Sequence, residues 1–338
     1  MTRTLRVIFQ YVFFLGLGVF FAWLSVKSLD RDKFSQIGDI LSDARHWILI
    51  PVLVILFLSH YVRALRWRLL IESINYKASR ANTFFAVMIG YMTNQVLPRF
   101  GEVLKCSILG RYEKIPMDTL IGTIILERLV DAITLLLIFT ITLLLEPGIY
   151  NQLHAAIFDV KQENPEPSVV PGWVVTLVIA GFLLFLLFSW MIRKKKKLSD
   201  IPPLLLTVWQ HIVKGVSAIG SLKRRWYFIF LTIALWALYL FAGYLGFVAM
   251  KETQQYGIKE AFAILSAGSI GMVVSPGGVG AYAYLVQQTM ESYGLTPVIA
   301  FAFGWVLWVV QTSVNILGGL FSFVAIPYYN KKKLSEPF

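Results

Sequence analysis

Three short stretches carry most of the residues that could do chemistry in this chain. The first is Asn94-Gln95-Val96-Leu97-Pro98-Arg99-Phe100-Gly101-Glu102-Val103-Leu104-Lys105, where a helix breaker and a glycine stand among two cations and an acid. Pro98 removes a backbone donor and Gly101 permits a turn, so peptide groups freed there need partners in protein or in water. A short helix starting near Gly101 would aim its N–H groups into that break, an arrangement that suits an anion. Arg99 and Lys105 add positive charge, and Glu102 can pair with either. An interfacial turn with snorkelling charges is the competing reading. Ionisable residues within a membrane favour function by default.

The second stretch is Glu127-Arg128-Leu129-Val130-Asp131, inside a long apolar run. Glu127 and Asp131 share a helical face at i,i+4, and Arg128 meets Asp131 at i,i+3. Such a trio can be a closed structural ion network. Alternatively Arg99 and Arg128 bind a phosphate while the acids keep them poised, or one acid carries a coupling proton. The pattern leaves these alternatives open. The third stretch is Ser275-Pro276-Gly277-Gly278-Val279-Gly280. Without a following Lys-Ser/Thr it is not a P-loop, and its expected use is irregular backbone lining a polar cavity.

From these stretches come the candidate substrate-binding residues Asn94, Arg99, Glu102, Lys105, Glu127, Arg128, Asp131, Ser275, Gly277, Gly278 and Gly280, with Pro98, Gly101 and Pro276 as turn or gating positions. No catalytic residue, metal ligand or cofactor is assigned. The four histidines have no zinc-binding spacing, Cys106 is the single cysteine, and nucleophile-elbow and dinucleotide signatures are absent. On a later face, Trp308, Gln311 and Asn315 align, which bundle packing explains as well as ligand binding does.

The elements that position these residues follow from composition. Of 338 residues 57% are hydrophobic and 15% charged, with a mean hydropathy of +0.67. Soluble domains carry about 25% charged residues. The net charge of +12 reads as cytoplasmic loops in contact with anionic inner-leaflet lipid, not as a nucleic-acid footprint. Expected spans are Val7–Ser25, Trp47–His60, Thr119–Leu145, Val170–Ile192, Trp226–Met250 and Pro297–Ile326. The Arg63, Arg66, Trp67, Arg68 group reads as interfacial. The two interrupted regions, Asn82–Arg111 and Ile258–Tyr293, have halves too short for comfortable spans.

The predicted fold is therefore an all-α polytopic membrane protein, with about six spanning helices and two re-entrant helical hairpins. Ten full spans would also satisfy the loop charges. Those charges place both termini, residues 63–81 and the basic loop 193–225 in the cytoplasm. Trp47 to Pro98 is 51 residues and Trp226 to Pro276 is 50, while Pro98 to Thr119 and Pro276 to Pro297 are both 21. Residues 47–145 and 226–326 thus read as an inverted-topology repeat within one membrane domain, 1–338. Residues 34–45 and 204–222 read as amphipathic helices lying on the membrane surface.

The three stretches, together with Arg63-Ala64-Leu65-Arg66-Trp67, resemble the signature blocks of the lysylphosphatidylglycerol synthase transmembrane region, or flippase-like domain, family. The resemblance covers nearly the whole chain. It implies a helical lipid-translocating domain with two re-entrant helices, as in the membrane half of multiple peptide resistance factor. Those synthases carry a soluble aminoacyltransferase domain, and this sequence ends at Phe338 without one, so aminoacyl-lipid synthesis is not expected. Many relatives place a Glu three residues after the final glycine of the third block, where this chain has Ala283. With Arg99 and Arg128, that difference suggests an anionic lipid. The expectation is a flippase or scramblase of the cytoplasmic membrane, moving an anionic phospholipid or polyprenyl phosphate recognised at its phosphate headgroup. Transport is favoured over catalysis. The alternatives are an integral-membrane transferase acting on a lipid-linked substrate, and an envelope-synthesis scaffold; homo-oligomerisation stays open.

Overall fold

The computed structural model describes residues 3–27, 31–97, 100–146 and 222–331, and every regular element among them is helical. The helices are α1 (Arg3–Val26), α2 (Arg31–Asp43), α3 (Leu49–Ser73), α4 (Arg80–Val96), α5 (Phe100–Glu113), α6 (Met117–Leu145), α7 (Arg225–Ala249), α8 (Ile258–Val274), α9 (Ala281–Ser292) and α10 (Pro297–Tyr329). The third helix with its leading turn (28 residues), α6 (29), α7 (25) and α10 (33) are long and apolar enough to cross a membrane, for which about 20 residues suffice. The 24 residues of α1 coincide with the first expected span. The chain is an all-α polytopic membrane protein. Val170–Ile192 and residues 204–221 lie outside the described residues, as does the 193–225 loop apart from its last four positions.

The interruptions fall at the two proline–glycine stretches. α4 and α5 have 17 and 14 residues, and α8 and α9 have 17 and 12. At about 1.5 Å per residue none alone covers the roughly 30 Å of a hydrocarbon layer. Local chemistry starts these short helices cleanly. Ser79 Oγ accepts from the Asn82 N–H at 3.0 Å to open α4, and the Gly257 N–H donates to Glu260 Oε2 at 2.7 Å to open α8.

Two units divide the chain, residues 1–127 with 223–338, and residues 128–222. In the first, α10 packs along α4, α7 along α3, and α1 along α9. One apolar core gathers Trp67, Ile71, Val87, Met88, Leu109 and Leu120. A second is built around Phe247 and Phe303, whose rings stack at 5.1 Å. Outward faces are apolar as well: Val54 and Phe57 of α3, Phe230 and Ile233 of α7, and Leu317 and Phe321 of α10 are exposed. An apolar exterior of that extent needs lipid as its solvent. Of the second unit, the described part is essentially the remainder of α6.

One surface expectation changes. The helix foreseen over 34–45 forms as α2, but Ile37, Ile40 and Ala44 pack against the Phe247–Phe303 core, with Val298 and Phe301 beside Ile37 and Ile40. Its apolar face covers protein, because the start of α10 offers an apolar surface to bury it. Lys251 clips the end of α2 through Asp43 at 2.9 Å and holds that carboxyl below its ordinary value; being exposed, the pair contributes little.

At the opposite end Asn82 and Asn330 exchange reciprocal amide hydrogen bonds of 2.9 and 2.7 Å, and Asn82 Nδ2 also reaches Glu113 Oε1 at 2.6 Å. Both asparagines are almost fully buried, so this network ties the start of α4 and the end of α5 to the end of α10. Replacing Asn82 by Ala should cost about 2 kcal/mol of unfolding free energy, since buried partners are left unsatisfied. Thermal unfolding in detergent measures this; an unchanged Tm would show that water replaces the lost amide.

Candidate functional site

Arg63 and Arg66 stand one turn apart on α3, and both point inward. Arg63 Nη1 lies 3.2 Å and Arg66 Nη2 3.4 Å from Oε1 of Glu127 on α6. The other carboxylate oxygen, Oε2, receives Lys105 Nζ of α5 at 3.0 Å. Three cations from two helices thus converge on a single acid from a third. Relative exposures are 5%, 0%, 3% and 0% for Arg63, Arg66, Lys105 and Glu127. Glu127 is ten residues into α6 and Arg63 ten residues from the end of α3. Each therefore sits about 15 Å along its helix from that end.

Aromatic faces back the cations. The Arg63 guanidinium lies 5.6 Å over the Tyr91 ring, Arg66 5.9 Å over Phe228, and Lys105 4.5 Å over Trp67. Trp67 is itself pinned by Nε1–H donating to Thr123 Oγ1 at 2.8 Å, and Arg63 Nη2 donates to the Tyr239 hydroxyl at 3.3 Å. Such contacts steer each head group and offset part of its lost hydration. A buried ion still costs several kcal/mol to desolvate, whereas each close pair returns on the order of 5 kcal/mol at an effective dielectric near 20. Stability alone is a weak reason to gather four such ions. The chemistry they offer is recognition of a tetrahedral oxyanion, with two planar donor forks and one ammonium.

The sequence-predicted residues separate. Lys105 and Glu127 are in the cluster. Arg63 and Arg66, expected at the interface, are buried in it, because Leu69, Leu70 and Ile71 continue the helix into the core. Arg68, on the other face, behaves as expected of an interfacial group, bonding the Ala78 carbonyl and Glu72. Arg128 and Asp131 follow on α6 within the second unit. Pro98 and Arg99 lie outside the described residues.

Asn94 and Gly101 close the first hairpin. The Gly101 N–H donates to Asn94 Oδ1 at 2.9 Å, and Gly101 approaches the Gly90 carbonyl so closely that a Cβ would overlap it. Glu102 occupies the first turn of α5, where a carboxylate complements the helix dipole. That end of α5 is thus served by the protein's own acceptors.

The second break satisfies its own backbone. Ser275 Oγ donates to the Val279 carbonyl at 2.9 Å, the Gly278 N–H reaches the Ser275 carbonyl at 3.0 Å, and Val279 N–H reaches that of Pro276 at 3.1 Å. Gly277, Gly278 and Gly280 take φ values of 58, 71 and 68°, a region that side chains resist. Gly280 also lets α1 cross at Gly18 and Ala22, and Gly277 lies against Gln95 at the end of α4. Trp308 Nε1 donates to the Gly277 carbonyl at 3.0 Å. The two interrupted regions therefore meet at Gln95 and Gly277.

Residue spacing put Arg63 and Arg66 at the interface and passed them over as site residues. Their signal was the placement of positions 63, 66 and 67 on one face of an unbroken helix. Among the described residues no three His, Cys, Asp or Glu side chains group as a metal site.

The UPF0104 membrane protein MJ1595 of Methanocaldococcus jannaschii is 24% identical over 141 residues, which is 41% of this chain and 38% of that protein. The aligned part thus spans well under half of the relative's length. No solved structure matches. The profile of the lysylphosphatidylglycerol synthase TM region matches residues 7–319. By that match, over most of its length, the chain belongs to the lysylphosphatidylglycerol synthase transmembrane-region family.

Proposed function

We propose that this protein moves an anionic lipid between membrane leaflets, holding its phosphate headgroup at Arg63, Arg66 and Lys105. The observation that carries this reading is the convergence of those cations on Glu127, all buried within a helical bundle whose exterior is apolar. A charged headgroup crosses hydrocarbon too slowly unaided, so a charge-complementary station near the midplane lowers the barrier where it is highest. Glu127 keeps the three cations assembled when no headgroup is present. An entering phosphate then competes for the same donors, which makes binding reversible, as transport requires. Membership of a family described by a lipid synthase supports a lipid as cargo. A phospholipid and a polyprenyl phosphate present the same recognised group.

On this reading the two interrupted regions are re-entrant hairpins of an inverted repeat, 47–145 and 226–326, in the cytoplasmic membrane. The basic loop 193–225 and both termini face the cytoplasm, in contact with anionic lipid.

The test is reconstitution with acyl-labelled fluorescent phosphatidylglycerol and an impermeant reducing quencher. Protein-free vesicles should lose about half of their signal, the outer leaflet, and vesicles with protein should lose nearly all. Lys105→Met should slow the inner-leaflet phase at least tenfold, the kinetic equivalent of one charge-assisted hydrogen bond. A wild-type phase no faster than in empty vesicles, across phospholipid and polyprenyl-phosphate probes, would overturn the transport reading. A lipid-linked product formed from an added donor would replace it with the transferase.

A further inference from the structure

Among the described residues four tryptophans are buried or half-buried. Three of them give their indole proton to a protein acceptor: Trp67 to Thr123 Oγ1 at 2.8 Å, Trp305 to Ser25 Oγ at 3.1 Å, and Trp308 to the Gly277 carbonyl at 3.0 Å. Trp236 of α7 differs. It is 9% exposed, and its Nε1–H has no hydrogen-bond partner. A buried indole usually finds an acceptor, and nearly all buried polar groups in folded proteins are satisfied. A donor left over in this way calls for a reason.

Its neighbours supply one. α7 packs along α3, and aromatic side chains of α7 border the cation cluster. The Arg66 guanidinium lies 5.9 Å over the Phe228 ring, and Arg63 Nη2 donates to the Tyr239 hydroxyl at 3.3 Å. Trp236 precedes Tyr239 by three positions on the same helical face, and the two rings meet edge to face at 5.9 Å. A hydroxyl that accepts from Arg63 keeps its own proton to give. Two uncharged donors therefore stand side by side at the edge of the cluster. The carboxylate that now gathers the cations is planar, and its two oxygens serve Arg63, Arg66 and Lys105. A tetrahedral phosphate carries oxygens out of that plane, so one of them can turn toward α7.

We propose that Trp236, beside Tyr239, is a specificity-determining residue of the headgroup site. Its indole N–H bonds a phosphate oxygen when a lipid is seated at Arg63 and goes without a partner when the seat is empty. The assignment rests on the transport reading above and adds a residue to it. A neutral donor that phosphate reaches and Glu127 does not tips the competition for the cations toward the incoming headgroup.

The test follows the indole proton itself. In the detergent-solubilised full chain labelled with nitrogen-15 tryptophan, the indole signal missing from Trp236→Phe belongs to Trp236. Adding dihexanoyl phosphatidylglycerol should move that signal downfield, as a new hydrogen bond to an anion does. The signal of Trp226, exposed on the same helix, should stay in place. In proteoliposomes with acyl-labelled phosphatidylglycerol, Trp236→Phe should slow the inner-leaflet phase about tenfold, the worth of one hydrogen bond to an ionised group. Tyr239→Phe should slow it as well. Added lipid should raise the Tm of wild-type protein more than that of Trp236→Phe, a difference that lost packing does not produce. Should Trp236→Phe fail to fold, Trp236→Tyr assigns the signal and Tyr239→Phe carries the rate comparison. An indole signal that does not move while wild-type protein binds and moves the lipid overturns the assignment and leaves transport standing. So does a Trp236→Phe protein that moves lipid at the wild-type rate. If wild-type protein neither binds nor moves the lipid, the assignment falls together with the function on which it rests.

Discussion

Glu127→Gln should lower the unfolding free energy by about 3–5 kcal/mol, the usual cost of stripping one partner from a buried ion pair. The substitution keeps the side chain's size and removes only its charge, so packing loss does not enter. What remains is Arg63, Arg66 and Lys105 facing a neutral amide at distances that were 3.2, 3.4 and 3.0 Å from a carboxylate. Each cation keeps an aromatic neighbour, which softens the loss but does not replace a negative charge. Thermal unfolding in mild detergent measures the effect. The double variant Glu127→Gln/Lys105→Met removes one cation together with the acid, so its loss should be smaller than the sum of the two single losses, with a coupling of 1 kcal/mol or more. A Glu127→Gln protein within 1 kcal/mol of wild type would mean that Glu127 is not what holds the cations. The proposed exchange between carboxylate and phosphate would then lose its basis.

How much of this could be read from residues in order depends on whether the physics is local. Pro98, Gly101, Pro276 and Gly277 act on their own backbone, so both interruptions were legible, as were the lengths of the helices around them. Lys105 and Glu127 stood out as charges within apolar stretches. Arg63 and Arg66 did not, because the expected span before them stops at His60 and basic groups commonly mark an interface. Their burial depends on an acid 64 and 61 positions away, a pairing that no local pattern contains. The same limit applies to α2. Its amphipathic face was plain, but whether membrane or protein covers it depended on Val298 and Phe301, far along the chain.

Gly101→Val should be nearly as damaging, at about 3 kcal/mol, the upper part of the overpacking range, and it should also slow lipid movement in the protein that folds. The reason is a crossing of two backbones. A Cβ at Gly101 would overlap the Gly90 carbonyl and come within 2.6 Å of Asn94 Oδ1; one at Gly90 would lie 2.9 Å from the Gly101 carbonyl and 3.1 Å from Lys105 Cβ. Backbone atoms cannot swing aside as a side chain can, so α5 must move away from α4. Lys105 is one turn from Gly101 on α5, so a shift of that helix moves the Lys105 backbone relative to Glu127, whose Oε2 lies 3.0 Å from its ammonium. The hairpin glycine and the cation cluster are thus coupled through rigid helix. Gly122 provides the contrast: nothing lies within 4 Å of a Cβ built there, so Gly122→Ala should be neutral or stabilising by up to 1 kcal/mol. Measured side by side, the two variants separate a close-approach requirement from a general intolerance of change. If Gly101→Val unfolds no more readily than Gly122→Ala, then α4 and α5 are not packed at this crossing, and Lys105 is not held in place by it.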